Sequence, residues 1–240
     1  MGEMSMDKSS CPCSQPVRAK GLGPMVVGLI KRYADAGVTT PSILYVNRDC
    51  CGASHIQKMF AAWPQLKIKL DMWHFMRRIA VGCNTDSHQL YATFMNRLSQ
   101  CIFQYDQDDL KSLKDAKRKE LEAKLMGPLD VDVMRNITRS ELALHCRRTT
   151  RGTEETQALI TELINGFDGE KGRDSLGVPL INSCRMEDIW RTQIKHVACL
   201  QDPEGVQLNI QTGIKGGLPL PTYRCARSST SLECFHLHLN

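Results

Sequence analysis

Residues 42–80, SILYVNRDCCGASHIQKMFAAWPQLKIKLDMWHFMRRIA, constrain the fold more than any other stretch. Ser42 to Val46 is a short apolar run with β-branched and aromatic members, the pattern of a buried strand. A polar cluster of Asn47, Arg48 and Asp49 follows, as expected at a strand end. Ser54 is placed to cap a helix in which Ile56, Met59, Phe60 and Trp63 recur at helical spacing. Pro64 closes that helix, because the residue before proline avoids the α region. From Leu66 to Asp71 the pattern changes to strict alternation. Leu66, Ile68 and Leu70 share one face, and Lys67, Lys69 and Asp71 the other. Strand, helix and strand in so short a span make a βαβ unit, so the two strands are expected to run parallel. Ligands of such sheets gather at the carboxyl ends of the strands. Asn47, Asp49, Asp71 and His74 all fall there.

The rest of the chain sets wide bounds. Its 240 residues suffice for one large domain or two small ones, and 42% hydrophobic with 24% charged residues argues against wholesale disorder. The net charge of +5 permits a polyanionic partner if the charges cluster on one face. Residues 1–24 are polar, rich in Ser, Pro and Gly, and lack the apolar segment of a signal peptide. The eleven cysteines are therefore expected to be reduced thiols of an intracellular chain. No stretch approaches the ~20 apolar residues of a membrane span, so no membrane partner is expected. Gly2 invites a myristoylation reading, but Met6 stands where that motif wants Ser or Thr.

Read in order, residues 1–24 form a loose leader and 25–80 hold the only good strands. Residues 81–202 are mostly helical, and 203–240 form a loop and a closing helix. Met25–Ala36 has helical spacing and ends at Gly37. Met72–Ala80 reads as a short helix running away from Asp71, and Asp86 as the N-cap of another, striped by Leu90, Phe94, Leu98 and Cys101. Residues 106–124 form a charged helix with a thin stripe of Leu110, Leu113 and Leu121, read as a solvated face rather than a nucleic-acid contact. Thr138 and Glu141 match a capping box that opens a helix through Arg148, and Thr153 is read as the cap of a helix that runs to Asn165, with Gly166 as its C′ residue. Residues 166–183 are expected to be loop, Met186–Leu200 a continuous helix, 202–222 irregular, and a last helix to start near Ser231. Two strands do not make a stable sheet, since about three are needed. Either further strands lie in 1–24 and 203–226, or part of a domain is missing.

Three groups of residues carry chemistry. Asp49, Asp71 and Glu233 would, if they converged, hold Mg²⁺ or Mn²⁺ for two-metal phosphoryl transfer. Against that, Asp49 suits a turn, and Thr230 with Glu233 is itself a capping box. His74, Arg77 and Arg78 share a helical face beside Asp71, where they would contact phosphates or hold a loop by ion pairs. Cys50, Cys51, His55 and Cys83 could approach one another as a zinc site, although the spacing is poor and free cysteines are commonly buried as small hydrophobes. Cys11 and Cys13 lack a partner pair at zinc-ribbon spacing, and His236 and His238 cannot share a helical face.

Two blocks carry a family resemblance. SILYVNRDCCGASHIQKMFAAWPQLKIKLDMWHFMRR resembles the second half of the ribonuclease-H-like core of DDE-type, cut-and-paste transposases related to the Mutator-like and KDZ groups. In that family a strand ends in a catalytic aspartate, and the strand after the next helix leads into a Cys/Asp-x-x-His step. YRCARSSTSLECFHLHL resembles the block in which a glutamate opens the closing helix. The resemblance implies an α/β fold, an incomplete ribonuclease-H-like core with a large helical insertion, truncated at both ends. It makes Glu233 the third acidic ligand and Asp71 with His74 the step after the strand. It puts Asn47 where the second aspartate belongs, with Asp49 close behind, and offers Asp49 and Glu233 as what remains for a metal. No strand in 1–41 carries the first aspartate; Asp7 and Asp35 lie in the leader and at a helix end. Arg77, Arg78, Arg224 and Arg227 become nucleic-acid contacts. The implied function is a transposase-derived remnant without working nuclease activity that binds DNA with little sequence preference, in the nucleus. Two other readings stand beside it: Mg²⁺- or Mn²⁺-dependent nicking with a partner chain supplying the missing strands, or a gene fragment without selected function.

Overall fold

The computed structural model describes residues 22–51, 55–123, 127–215 and 220–227, and within them the βαβ unit forms as its periodicity requires. Helix α1 spans Leu22–Ala36 and ends where Gly37 takes a left-handed φ of 59°. Strand β1 (Ile43–Val46) pairs in parallel with β2 (Lys67–Leu70), in register from Ile43 opposite Lys67 to Val46 opposite Leu70. Between them α2 covers only His55–Met59. Phe60 and Trp63 follow in turns instead of extending the helix, and their rings pack with Val26 and Leu66 into a small cluster under α1. Tyr33 closes it with its ring edge-on to Trp63, centroids 5.2 Å apart.

The main core lies on the other elements. Helix α3 (Met72–Ala80) follows β2 directly, then come α4 (Tyr91–Ile102), β3 (Phe103–Tyr105), α5 (Gln107–Glu122), α6 (Asp130–Asn136), α7 (Arg139–His145) and β4 (Arg148–Thr150). Helices α8 (Thr153–Phe167) and α9 (Ser183–Gln193) complete it. The apolar stripe expected on the second helix is buried: Phe94, Leu98 and Cys101 meet Ile160, Leu163, Ile164 and Phe167 of α8. Phe75 and Ile79 of α3 and Met186 and Trp190 of α9 fill the other side, and Leu70 ties β2 to the same core. The architecture is mixed α/β with helix predominating and only small sheets.

Six expectations need correction. The helix opened by Thr138 ends at His145 and does not reach Arg148, because Arg148–Thr150 is drawn into β4 beside β3. Thr153 is the first residue of α8, not its cap, a place taken by Gly152. The helix read from Asp86 starts at Tyr91, because buried His88 holds the chain in turns: its Nδ1 accepts from the Leu90 N–H (3.1 Å) and its Nε2 lies 3.0 Å from the Val178 carbonyl. Helix α8 continues past Asn165 to Phe167, since the Phe167 ring packs edge-on against Phe94 at 5.5 Å and holds the last turn in helical form. Met186–Leu200 is not continuous. It breaks at a 3-10 turn, Ile194–His196, before a short α10 (Val197–Leu200). Finally, residues 202–222 are not irregular throughout: β5 (Asn209–Lys215) and β6 (Leu220–Cys225) form an antiparallel pair with a bulge between Gln211 and Gly213. That pair does not join β1 and β2, nor does the β3–β4 pair, so each sheet among the described residues has two strands. Covering helices stabilise the parallel pair in place of further strands, with α10 packed on β2 and Lys67 Nζ donating to the Glu204 carbonyl at 2.8 Å.

The capping box at α7 is formed. Thr138 Oγ1 accepts from the Glu141 N–H (3.2 Å), and Glu141 Oε2 accepts from the Thr138 N–H (2.8 Å). Lys117 of α5 adds an ion pair to Glu141 at 2.7 Å. Burial alone would raise the Glu141 pKa, but the bonds from Lys117 and Thr138 outweigh it and hold the group at about 2. A carboxylate with a depressed folded pKa stabilises the fold above its unfolded value, and the contribution disappears as pH falls through the folded one. The thermal midpoint is therefore expected to drop as pH falls from 4.5 to about 2. Glu141→Gln should flatten the profile in that window; an unchanged slope would show that the α5–α7 pair contributes nothing.

Candidate functional site

The strongest constellation stands at the end of β1. After Val46 the chain passes through exposed Asn47, Arg48 and Asp49, and Asp49 adopts φ 56°, a left-handed conformation that aspartate tolerates better than most residues. The turn presents Cys50 and Cys51 to the segment after α9. There His196 closes the 3-10 turn and Cys199 follows on α10, so the break in the helix aims both at the same point. Cys50 Sγ lies 3.8 Å from Cys51 Sγ and 3.4 Å from His196 Nδ1. Cys51 Sγ lies 3.1 Å from His196 Nδ1 and 3.2 Å from Cys199 Sγ. All four ligand atoms fall within 4.8 Å of one another, and this is the one group of three or more potential metal-binding side chains among the described residues. It could hold a metal ion.

The surroundings set its electrostatics. Burial pushes the Cys199 thiol well above its ordinary range, and the Cys51 and Cys50 thiols push it further. Cys50 is raised as well, by burial first. His196 is lowered, by burial and then by the positive charges of Arg78 and Lys195. Burial thus favours the uncharged forms of Cys50, Cys199 and His196. The partners expected from the sequence were half right. Cys50 and Cys51 take part, whereas His55 is exposed and outside the group. Cys83 is buried in a bridge to Ile181, its thiol raised to about 11 by burial. Cys11 and Cys13 lie outside the described residues. The signal for the missing half was present in the chain: His196 and Cys199 have the His-x-x-Cys spacing that puts two ligands on one helical face.

The acidic residues do not gather in the same way. Asp71 is buried and serves as the N-cap of α3: its Oδ1 accepts from the His74 N–H at 3.0 Å and lies 2.8 Å from His74 Nδ1. The carboxylate and the imidazole of the Asp-x-x-His step therefore hold each other. Asp49 stays on its exposed turn, and Glu233 lies outside the described residues. Among the described residues no carboxylate set suited to Mg²⁺ or Mn²⁺ is assembled.

The arginines divide into structural and exposed. Arg78 donates to the Gln193 side chain at 3.1 Å and to the Asn47 carbonyl, fastening the end of β1 to α9. Arg227 is buried in a bidentate pair with Asp202, at 2.7 and 2.6 Å. Both guanidiniums are engaged in bonds within the fold. Arg77 is exposed and its guanidinium stacks over the Trp73 ring at 5.6 Å. Arg224 is exposed on β6, and half-buried Arg148 lies over the Phe103 ring at 4.8 Å. Met72, Trp73, Met76, Phe103, Arg148 and Arg224 line an open groove of about 740 Å³, with Trp73 43% exposed at its rim. Pairing of β3 with β4 brings Phe103 and Arg148 together, a juxtaposition that spacing along the chain does not show.

Fold and site together define a mixed α/β chain with a thiol–imidazole cluster at the end of a parallel strand and a basic, aromatic groove beside the helix that follows. Set against family models, curated proteins and solved structures, the chain matches none. No described helix is long and apolar enough to cross a membrane.

Proposed function

We propose that this chain is a transposase-derived, non-catalytic protein that binds DNA in the nucleus through the groove beside α3. The observation that carries the reading is the groove itself: the exposed Trp73 ring and the half-buried Phe103 ring beside the guanidiniums of Arg148 and Arg224, with exposed Arg77 stacked on Trp73 next to it. Aromatic rings offer bases a stacking surface that tolerates any sequence, and guanidiniums neutralise phosphates. Descent from a ribonuclease-H-like core is supported by the parallel βαβ unit and by the Asp71–His74 step at its carboxyl end. Absence of catalysis is supported by the engagement of Asp71 as a helix cap and by Asn47 at the end of β1.

Fluorescence anisotropy with labelled oligonucleotides tests the reading. Binding should show little sequence preference, with log K falling against log salt by about 0.9 per phosphate contacted on duplex DNA and about 0.7 on single strands. Trp73→Ala is expected to weaken single-strand binding by about 1–3 kcal/mol, the worth of one stacked base. Arg148→Glu with Arg224→Glu should weaken both forms and lower the salt slope. Binding that ignores salt, or none at low salt, would sink the proposal. Plasmid nicking in Mn²⁺ that Glu233→Ala abolishes would restore the catalytic reading in its place.

A further inference from the structure

We propose that Cys50, Cys51, His196 and Cys199 form a structural Zn²⁺ site that clasps the end of β1 to the segment after α9. A tetrahedral zinc with bonds of about 2.3 Å to sulfur and 2.0–2.1 Å to nitrogen sets its ligands about 3.8 Å apart for S···S and about 3.6 Å for S···N. The pairs here stand at 3.8 and 3.2 Å for sulfur with sulfur, and 3.4 and 3.1 Å for sulfur with Nδ1, so small side-chain movements suffice to enclose the ion. Soft thiolates with one imidazole select zinc over the hard cations, and a complete set of four protein ligands is the composition of a structural rather than a catalytic centre.

Placement and charge agree with that role. The ligands come in two pairs, Cys50–Cys51 and His196–Cys199, with His196 145 positions after Cys51. An ion joining them closes a long loop, which is where a cross-link constrains the unfolded chain most. It would also fasten β1, an edge of a two-stranded sheet, to the α9–α10 segment at the point where Arg78 already makes a polar tie from α3 to the Asn47 carbonyl. Zinc with three thiolates carries a net charge of −1, and Arg78, Lys195 and Lys69 supply positive charge around it. The ends of the two ligand segments are not otherwise joined by backbone bonds of a common sheet.

The test uses the full chain purified under reducing conditions. Elemental analysis should find one Zn²⁺ per chain, and replacement by Co²⁺ should give the thiolate-to-cobalt charge-transfer band and the intense visible bands of a tetrahedral site. Cys50→Ser with Cys199→Ser should lose the ion and lower the thermal midpoint. Cys184→Ser, at an exposed thiol outside the group, and Cys11→Ser/Cys13→Ser/Cys234→Ser should each keep the ion. If the double variant fails to fold, His196→Cys decides the matter: it should keep one ion and shift the Co²⁺ spectrum toward that of four thiolates. An ion-free reduced chain with no cobalt spectrum, an ion retained by the double variant, or a Cys51–Cys199 disulfide in place of metal would each overturn the assignment. So would loss of the ion in the Cys11, Cys13 and Cys234 variant.

Discussion

Phe94→Ala is expected to lower the unfolding free energy by about 3–5 kcal/mol, the usual range for emptying an aromatic site in a core. Phe94 is fully buried between α4 and α8, and its ring meets that of Phe167 edge-on at 5.5 Å. An aromatic pair of this kind adds about 0.5–1.5 kcal/mol beyond burial, so the upper half of the range applies if the pair is lost along with the area. Collapse into the space is restricted, because Leu98 and Ile102 on α4 and Ile160 and Ile164 on α8 belong to the same buried cluster and hold the two helices together at their own spacing. Urea titration should show a lower midpoint at unchanged slope. Leu176→Ala, at a residue 84% exposed, should stay within about 0.5 kcal/mol of the parent. A Phe94→Ala chain within 1 kcal/mol of the parent would mean that the α4–α8 packing described above is wrong.

Asp109→Ala should cost about 2–3 kcal/mol. Asp109 is a buried carboxylate near the start of α5 that accepts three bonds from one residue: the Arg147 N–H at 2.9 Å, Nε at 2.7 Å and Nη2 at 3.0 Å. Burial would raise its pKa, but the Arg147 bonds outweigh that and hold it below the usual carboxylate range. Breaking a buried ion pair costs about 3–5 kcal/mol when the surviving charge stays buried. Here the Arg147 side chain is 41% exposed, so water takes over its guanidinium and the loss is reduced. What remains is a backbone N–H without its acceptor and the bonds that held Arg147 against the start of α5. Asp109→Asn keeps an acceptor oxygen but turns an amide N–H toward donors, so its midpoint in urea should fall between those of the parent and Asp109→Ala. An Asp109→Ala midpoint equal to the parent would place the ion pair among the surface pairs that contribute nothing.

Local signals were legible wherever one segment suffices to satisfy its own backbone and face. The alternation of Leu66, Ile68 and Leu70, the short helix running away from Asp71, the Thr138–Glu141 box and the stripe of Phe94, Leu98 and Cys101 all depend on neighbours within a turn or two, and the structure repeats them. The errors share one cause. His88 holds turns because its imidazole reaches the Val178 carbonyl, and α8 keeps Phe167 helical because Phe94 stands opposite. In the same way β3 becomes a strand because β4 runs beside it. Each is a local choice settled by a residue far away in sequence, which propensity and periodicity do not register.

The candidate metal centre divides along the same line. The sequence by itself pointed to one pair of donors, the adjacent Cys50 and Cys51 where a buried strand must end, whereas His196 and Cys199 show there only as a histidine and a cysteine three apart. It also determined that Asn47 brings no charge to the end of β1. Only the tertiary structure decided that these two pairs face each other, and that His55 and Cys83 do not. The reason is physical: covalent spacing fixes which side chains share a face, whereas packing of α10 on β2 and α9 on α3 fixes which faces meet.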